Sequence, residues 1–253
     1  DYEFTSLFLE SQLSETWGTR LTLGFSEEDY EHVGYQEDFA GFPTYAPLGT
    51  YSENPFDKNT DRYSFYWDNE FVWTDSHTTV IGSYFENVNY RNPNVDEVNR
   101  DTYGFYANHS WSVTEAIKLN GVVGWDDHDD FGDEWTWNAG VVVNLTEKTR
   151  VKAHAGEAFR APSFDELFYP YYGNPELDAE RSFNWDVSVE QSFDTVQLTA
   201  TWFENDIEKL IGFHPVTYIN EQQGGKTKAN GLEFSAEVNI DSLNADVIGT
   251  YTY

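Results

Sequence analysis

Four aromatic side chains and one amide crowd a short stretch of this 253-residue chain that also carries proline and glycine. They are Phe168, Tyr169, Tyr171, Tyr172 and Asn174. Because such rings can stack on a flat, partly apolar molecule, we take these five residues as the candidate ligand-binding site. The alternative is that the rings pack against each other and only order a long loop. A second candidate surface is the aromatic-rich stretch 27–59, with Tyr30, Tyr35, Phe39, Phe42, Tyr45 and Tyr51.

Metal chemistry and catalysis find less support. Acidic clusters at 27–29 and 126–130 offer oxygen ligands, but neither has the Asp-x-Asp-x-Asp-Gly spacing of a calcium loop, so we expect a solvated acidic rim and assign no metal ligand. The six histidines lack the helical i, i+4 spacing of a zinc site, and no Gly-x-Ser-x-Gly turn lies near them. Carboxylates are too numerous to single out a glycosidase-like pair. We therefore expect no enzyme.

Composition restricts the class of protein further. The chain has 45 acidic and 14 basic side chains and a formal charge of −31, which would repel a nucleic acid. It contains no apolar run of about 18 residues, which argues against a transmembrane helix. The strands of a membrane β-barrel remain compatible with this composition, because only every second residue faces lipid. Without cysteine the chain can form neither a disulfide nor a thiolate metal site.

The segments around the aromatic stretch alternate apolar and polar residues. In residues 134–145 one face takes Trp135, Trp137, Ala139, Val141, Val143 and Leu145. Residues 183–190 and 232–239 follow the same rule. This periodicity of two predicts about twelve strands of roughly 8 to 12 residues each, the length that spans a bilayer.

The connections and the tryptophans fit the same architecture. Short polar turns, as at 11–15, 74–76, 113–116, 146–148, 193–195 and 241–244, alternate with longer connections near 27–59, 90–100, 126–133, 157–181 and 206–228. Short turns at one rim and long loops at the other are typical of an outer-membrane barrel. Trp17, Trp73, Trp111, Trp125 and Trp135 lie toward strand ends, where an aromatic girdle meets the lipid headgroups. His154, with Arg150 and Lys152, is predicted to line the lumen. The fold class is therefore an antiparallel transmembrane β-barrel.

Several segments also resemble a known family, the TonB-dependent outer-membrane transporters, and within it most closely the receptors for cobalamin. The resemblance is carried by Arg100–Tyr106, Asp126–Gly132, Phe159–Pro162, Gly173–Leu177 with Glu180 and Ser182, Phe203–Gly212, and Asn230–Glu233. Two positions depart from the family pattern: Ala179 stands where a proline is usual, and residues 222–226 match loosely.

The resemblance implies a monomeric barrel of 22 strands around a plug, in the outer membrane of a Gram-negative bacterium and driven through TonB, ExbB and ExbD. This chain matches about the middle twelve strands, so we expect it to be part of the barrel, with the plug and the terminal strands outside it. The implied ligand is cobalamin, whose corrin ring would meet the aromatic group. A ferric siderophore or haem is the alternative within the family, and a passive porin or surface binding barrel is the alternative outside it. The family also implies calcium as an ordering ion for some outer loops, and no other cofactor.

Overall fold

The computed structural model describes residues 1–37, 51–93, 95–169, 172–240 and 245–253, and for 32–37 and 51–56 it describes the backbone alone. The elements in chain order are β1 Tyr2–Ser14, β2 Trp17–Glu37, β3 Tyr51–Thr74, β4 His77–Asn92, β5 Val95–Ser112, β6 Ile117–His128, β7 Gly132–Asn144, β8 Thr149–Arg160, α1 Phe164–Phe168, β9 Glu180–Ser192, β10 Val196–Glu208, β11 Ile211–Phe213, β12 Asn220–Gln222, β13 Lys226–Ile240 and β14 Ala245–Thr252. Among the described residues, no helix is long and apolar enough to cross a bilayer.

Twelve strands form one antiparallel sheet in which each strand pairs with its neighbours along the chain. The order runs from β1 to β10 and then to β13 and β14, while β11 and β12 pair only with each other. Sequential hairpins of this kind let every strand use the nearest partner for its backbone hydrogen bonds. The predicted all-β antiparallel fold and its count of about twelve strands are confirmed.

The predicted strand length of 8 to 12 residues is wrong for most of the sheet. Only β6, β8 and β14 fall within that range, while β2 has 21 residues and β3 has 24. A paired hairpin satisfies its own backbone groups in water as well as in lipid, so a strand can continue past the bilayer. The expected long connection at 90–100 is also wrong, because β4 ends at Asn92 and β5 begins at Val95.

The predicted short turns lie at the rim of the sheet where β1 ends and β2 begins, opposite the long connections. Two residues join β1 to β2 and two join β3 to β4, and the turn after β5 spans 113–116. Threonine hydroxyls stabilise such turns: Thr146 Oγ1 accepts hydrogen bonds from the backbone N–H groups of Lys148, at 3.2 Å, and Thr149, at 2.9 Å. The predicted turn at 241–244 lies outside the described residues.

The cross-strand register gives the sheet two chemically different faces. Pairs such as Trp17 with Phe71 and Trp125 with Trp135, extended by strand alternation, put all nine tryptophans on one face, which we call the apolar face. Its side chains remain uncovered by protein, since Leu7 is 58% exposed and Val189 48% exposed. An apolar surface of this extent needs lipid or a partner against it.

The opposite, polar face carries a reciprocal arrangement of tyrosine and glycine on β4 and β5. Tyr106 lies over Gly82, and Tyr84 lies over Gly104, so a Cβ at either glycine would overlap a tyrosine ring. Tyr84 Oη also donates a hydrogen bond to Asp126 Oδ1 at 2.6 Å. Two interlocked pairs in one hairpin fix its register, because a slip by one residue would move each ring to the other face.

Buried apolar side chains concentrate where residues 161–169 fold back over the polar face. Val88, Tyr90 and Phe164 form a buried cluster, against which Val95, Val98 and Phe168 pack. Tyr90 is only 2% exposed. This cluster lies at the end of the sheet opposite the short turns, so it determines where the segment 161–179 can sit.

Candidate functional site

The segment 161–179, which we call the mouth loop, begins with a helical turn that its own sequence stabilises. Ser163 Oγ accepts a hydrogen bond from the Glu166 backbone N–H at 3.2 Å, and Glu166 Oε2 accepts one from the Ser163 N–H at 2.8 Å. This capping box satisfies two backbone donors that would otherwise be unpaired at the start of α1. The helix ends after Phe168, where Tyr169 has an extended backbone.

Side chains of α1 attach the mouth loop to the sheet. The Phe164 ring stacks on the Tyr90 ring, with centroids 5.2 Å apart and planes 7° from parallel. Asp165 accepts hydrogen bonds from Tyr90 Oη and from Lys58 Nζ, each at 2.8 Å. These contacts hold α1 over β3 and β4.

Arg100 makes a second attachment, to the turn between β6 and β7. Its guanidinium carbon lies 4.5 Å from the Phe164 ring centroid and 5.1 Å from that of Phe131. Its Nη1 donates to the Pro162 carbonyl at 3.0 Å, and its Nε pairs with Asp130 at 3.1 Å. A guanidinium between two rings gains cation–π attraction that strengthens when water is excluded.

Arg160, at the end of β8, joins the two ends of the mouth loop. It pairs with Glu166 at 2.9 Å and with Glu180, the first residue of β9, at 2.7 Å. The hydrogen bond from Arg160 holds the pKa of Glu180 below its usual range. Burial alone would raise the pKa of Glu166, but hydrogen bonds from Arg160 and Ser163 outweigh it and lower that pKa. Both carboxylates therefore stay charged at neutral pH.

Beyond α1 the rings form a continuous series that we call the mouth stack: Tyr169, Tyr172, Phe213 and Tyr218. Tyr169 and Tyr172 stack with centroids 4.3 Å apart and planes 16° from parallel. Phe213 meets Tyr172 edge to face at 6.1 Å, and Tyr218 lies 5.8 Å from Phe213. Phe213 and Tyr218 are each 51% exposed, so the stack presents ring surface to the mouth of the sheet.

The hairpin of β11 and β12 supplies the second half of this stack, and the mouth loop holds it. Asn174 Nδ2 donates to the Asn220 carbonyl at 2.9 Å, and the Asn220 N–H donates to the Tyr172 carbonyl at 2.8 Å. Tyr218 has a left-handed backbone, with φ of 60°. Such a conformation is rare for a bulky residue and is concentrated at functional sites.

Gly173 permits the close turn between the two halves of the mouth loop. A Cβ built on it would lie 2.7 Å from both the Leu167 carbonyl oxygen and the Tyr169 backbone nitrogen. These are backbone atoms that cannot swing away, so this position excludes a side chain. Gly173 directly follows Tyr172, so this close approach lies beside the stack of Tyr169 on Tyr172.

Four of the five predicted site residues are described, and they have three roles. Phe168 packs against the buried cluster, whereas Tyr169 and Tyr172 stack together at the mouth. Asn174 uses its amide to join the loop to β12. Tyr171 lies outside the described residues. The structure also adds Phe213 and Tyr218, whose nearness to Tyr172 has no local signal in the sequence.

The structure describes only part of the second candidate surface, and it pairs acidic residues of the predicted clusters with other side chains. Tyr30 faces Lys58, whose Nζ lies 5.7 Å from its ring centroid. Phe39, Phe42 and Tyr45, and the side chains of Tyr35 and Tyr51, lie outside the described part of the chain. Asp126 and Asp130 are engaged by Tyr84 and Arg100. Within the described ranges, no three or more histidine, aspartate or glutamate side chains are grouped as a metal site.

Comparison with known proteins agrees with this architecture. The model of the family described as TonB dependent receptor-like, beta-barrel, matches residues 1–253, and the chain belongs to that family. Proteins of this family are β-barrels of the Gram-negative outer membrane. The sheet is therefore a length of membrane barrel wall, with the apolar face toward lipid.

Individual relatives cover the chain to different extents. The vitamin B12 transporter BtuB of Photobacterium profundum is 29% identical over 202 residues, which cover 77% of this chain and 33% of the relative. BtuB of Vibrio vulnificus is 27% identical over 161 residues, covering 62% and 26%. The chain thus spans about a third or less of these curated relatives. A crystal structure of a variant of the ferric enterobactin receptor PfeA from Pseudomonas aeruginosa shares the fold, with a TM-score of 0.80 at 18% identity over 100% of this chain and 43% of that one.

Proposed function

We propose that this chain is part of the barrel of an active-transport receptor that captures cobalamin at its outer loops and delivers it to the periplasm. The observation that carries the proposal is the mouth stack, a series of rings from two loops held in place by Arg160, Arg100 and Asp165. Rings fixed in advance lose little conformational freedom when a flat ligand stacks on them. The names of the two curated relatives support cobalamin as that ligand.

The charge around the mouth favours cobalamin over an iron chelate. Glu166 and Asp178 of the mouth loop are paired with Arg160 and Lys209. Within the described residues no cation pairs with Glu176 of the mouth loop or with Glu221 of the hairpin opposite. Many ferric siderophores, the catecholates above all, are anionic as complexes and would be repelled by these carboxylates. A corrin ring offers apolar faces to the mouth stack and neutral amides at its edge. A ferric siderophore or haem remains the second candidate, because solved siderophore receptors share this fold.

Transport requires parts that belong to the rest of such a receptor. We propose that the polar face encloses a plug, that TonB, ExbB and ExbD act on that plug, and that the receptor works as a monomer in the outer membrane. The ion pairs of Arg150 and Lys152 with Glu190, and the contact of His154 Nδ1 with Asp186 Oδ2, would line the wall around the plug. A passive porin would need no TonB, so uptake by cells without TonB would support that competing class.

The test is binding by the full-length receptor in detergent, followed through intrinsic tryptophan fluorescence. Cyanocobalamin and ferric enterobactin would be titrated separately, each with and without calcium. We expect saturable binding of cyanocobalamin alone. Replacing Tyr172 by alanine should weaken it roughly tenfold, the effect of one lost stacked ring.

Tyr103 provides the matched control, because it is a tyrosine of the apolar face that pairs with Phe85 far from the mouth stack. Tyr103→Ala should leave the affinity unchanged. Saturable binding of ferric enterobactin in place of cyanocobalamin would reverse the ligand assignment, and equal affinities of the Tyr172 and Tyr103 variants would refute the role of the mouth stack.

A further inference from the structure

Two histidines meet on the apolar face, at the rim with the short turns and far from the mouth loop. His77 is the first residue of β4 and pairs with Trp111, and His109 lies on β5 two pairs further from the turn. The distance from His77 Nδ1 to His109 Nε2 is 3.2 Å. Both side chains are solvent- or lipid-accessible, and Trp111 stacks on the His77 ring at 5.2 Å.

The distance between the two nitrogens is the distance expected between two ligands of one metal ion. Zinc binds imidazole nitrogen at about 2.0 to 2.1 Å, so two nitrogens 3.2 Å apart subtend about 103° at the ion. That angle lies between the octahedral value of about 90° and the tetrahedral value of about 109°. Only a proton or a cation can lie between two ring nitrogens this close, because their lone pairs would otherwise repel.

The neighbours of His109 have the arrangement that orients a metal ligand. Its other ring nitrogen, Nδ1, lies 2.8 Å from Thr79 Oγ1, and Trp73 Nε1 donates to that same oxygen at 2.8 Å. Thr79 Oγ1 can accept from both donors, and in that arrangement His109 carries its proton on Nδ1 and has the lone pair of Nε2 toward His77. Metal-binding histidines commonly have a hydrogen-bond partner of this kind on the second nitrogen.

We propose that His77 and His109 bind a divalent transition-metal ion, with zinc as the expected occupant, as a staple across β4 and β5. His77 Nδ1 and His109 Nε2 are the two protein ligands, and water or a lipid phosphate completes the coordination. His109 Nε2 already has its lone pair toward the ion in this arrangement, so binding requires only that the His77 proton move from Nδ1 to Nε2. The acidic turn residues Glu15, Asp75 and Glu115 at the same rim would raise the local concentration of cations.

The test measures zinc binding to the full-length receptor in detergent at pH 7.5 by isothermal titration calorimetry, with magnesium as a hard-ion control. We expect the wild-type receptor to bind one zinc ion more than the His109→Gln variant. His77→Gln should remove the same site, and His214→Gln, a histidine of the distant β11–β12 hairpin, should retain it. Thr79→Val keeps both ligands and should weaken binding roughly tenfold, as loss of an outer hydrogen bond does in other metal sites.

A second measurement uses the wild-type receptor and does not depend on folding of a variant. Zinc should protect His77 and His109 from diethyl pyrocarbonate, detected by mass spectrometry, while magnesium should protect neither. Equal zinc stoichiometry in wild-type and His109→Gln receptors, or modification of both histidines at the same rate with and without zinc, would overturn the site and leave the pair as a shared-proton contact. Neither result bears on ligand capture at the mouth, which lies at the opposite rim.

Discussion

The two halves of the mouth loop use the same kinds of residue for opposite purposes. In the first half, Phe164 is only 9% exposed and packs against Tyr90 of the sheet. In the second half, Tyr169 and Tyr172 stack on each other and continue into Phe213, which is 51% exposed. Aromatic composition therefore does not distinguish an anchor from a binding surface. The distinction comes from what the sheet places beneath each ring.

This division explains how a long loop can be ordered before a ligand arrives. The first half is fixed by Tyr90, Lys58 and Arg100, so its conformational entropy is lost during folding. The second half is held between that anchor and the β11–β12 hairpin, and its rings are already stacked. Binding then requires little further ordering, which is the physical basis of preorganisation.

Removing the anchor should have the largest effect. Phe164→Ala deletes a buried ring, which typically costs about 3 to 5 kcal/mol, and also removes the surface over which Arg100 lies. We expect the mouth loop to become sensitive to limited proteolysis and cyanocobalamin binding to be lost. Phe213→Ala is the control, because it removes an exposed ring of the mouth stack and leaves the anchor intact. Phe213→Ala should weaken cyanocobalamin binding while the mouth loop stays resistant to proteolysis. A mouth loop that also stays resistant in Phe164→Ala would contradict the anchoring role of Phe164.

Disturbing the join between the halves should have the next largest effect. Gly173→Ala forces a Cβ against the Leu167 carbonyl and the Tyr169 nitrogen, which costs about 1 to 3 kcal/mol of strain. Because no ring is removed, any loss of affinity reports on geometry alone, and we expect roughly tenfold. The affinity would be measured by tryptophan fluorescence with cyanocobalamin.

Gly224→Ala is the matched control for that experiment. Gly224 lies before β13, and a Cβ there meets nothing within 4 Å. Its substitution should leave the affinity within the error of the wild-type value. If Gly173→Ala also left the affinity intact, the stack of Tyr169 on Tyr172 would not depend on the turn at Gly173.

The sheet could be predicted from the sequence because its signal is local. In residues 183–190 and 232–239 the contrast between apolar and polar residues repeats at every position, and the register confirms both faces. The extension of the strands beyond the bilayer could not be predicted in the same way. Above the apolar band the outward positions of β4 become polar, as at Asn87, while Val88 and Tyr90 of the other face are buried, so the apolar positions change face although the pairing continues.

The site was only partly predictable, because its contacts join distant segments. Tyr169 and Tyr172 are near neighbours in sequence, and their stacking fits the predicted aromatic group. Phe213 comes 41 positions after Tyr172, and nothing local links them. Phe168 resembles its neighbours in sequence, and only the position of Tyr90 and Val88 on β4 makes it part of the anchor.

Acidification should weaken the junction at Arg160 by a smaller amount. The pKa values of Glu166 and Glu180 are lowered in the folded protein, so their ion pairs are fully formed above the ordinary glutamate pKa of about 4.3 and are lost as the pH falls through the lower folded values. We expect constant protection of the mouth loop from pH 8 to about 5 and a decline below about 4. Hydrogen exchange followed by mass spectrometry would measure it.

Arg160→Gln tests the origin of that pH dependence. The variant has no charged partner for either carboxylate, so its loop should be less protected at neutral pH and should change less on acidification. A decline equal to that of the wild type would assign the effect to other carboxylates of this acid-rich chain.

The smallest expected effect separates the ring of Tyr172 from its hydroxyl. Burial raises the pKa of Tyr172, with Tyr169 adding to the shift, so the hydroxyl remains neutral and offers a ligand no negative charge. If the mouth stack binds the ligand through its ring surfaces, Tyr172→Phe should change cyanocobalamin affinity by about threefold at most, since one exposed hydrogen bond contributes little. Tyr172→Ala should lose roughly tenfold, because it removes the face that meets Tyr169 and Phe213. Equal losses in the two variants would mean that the hydroxyl contacts the ligand directly, and the mouth stack would then bind by polar recognition as well as by stacking.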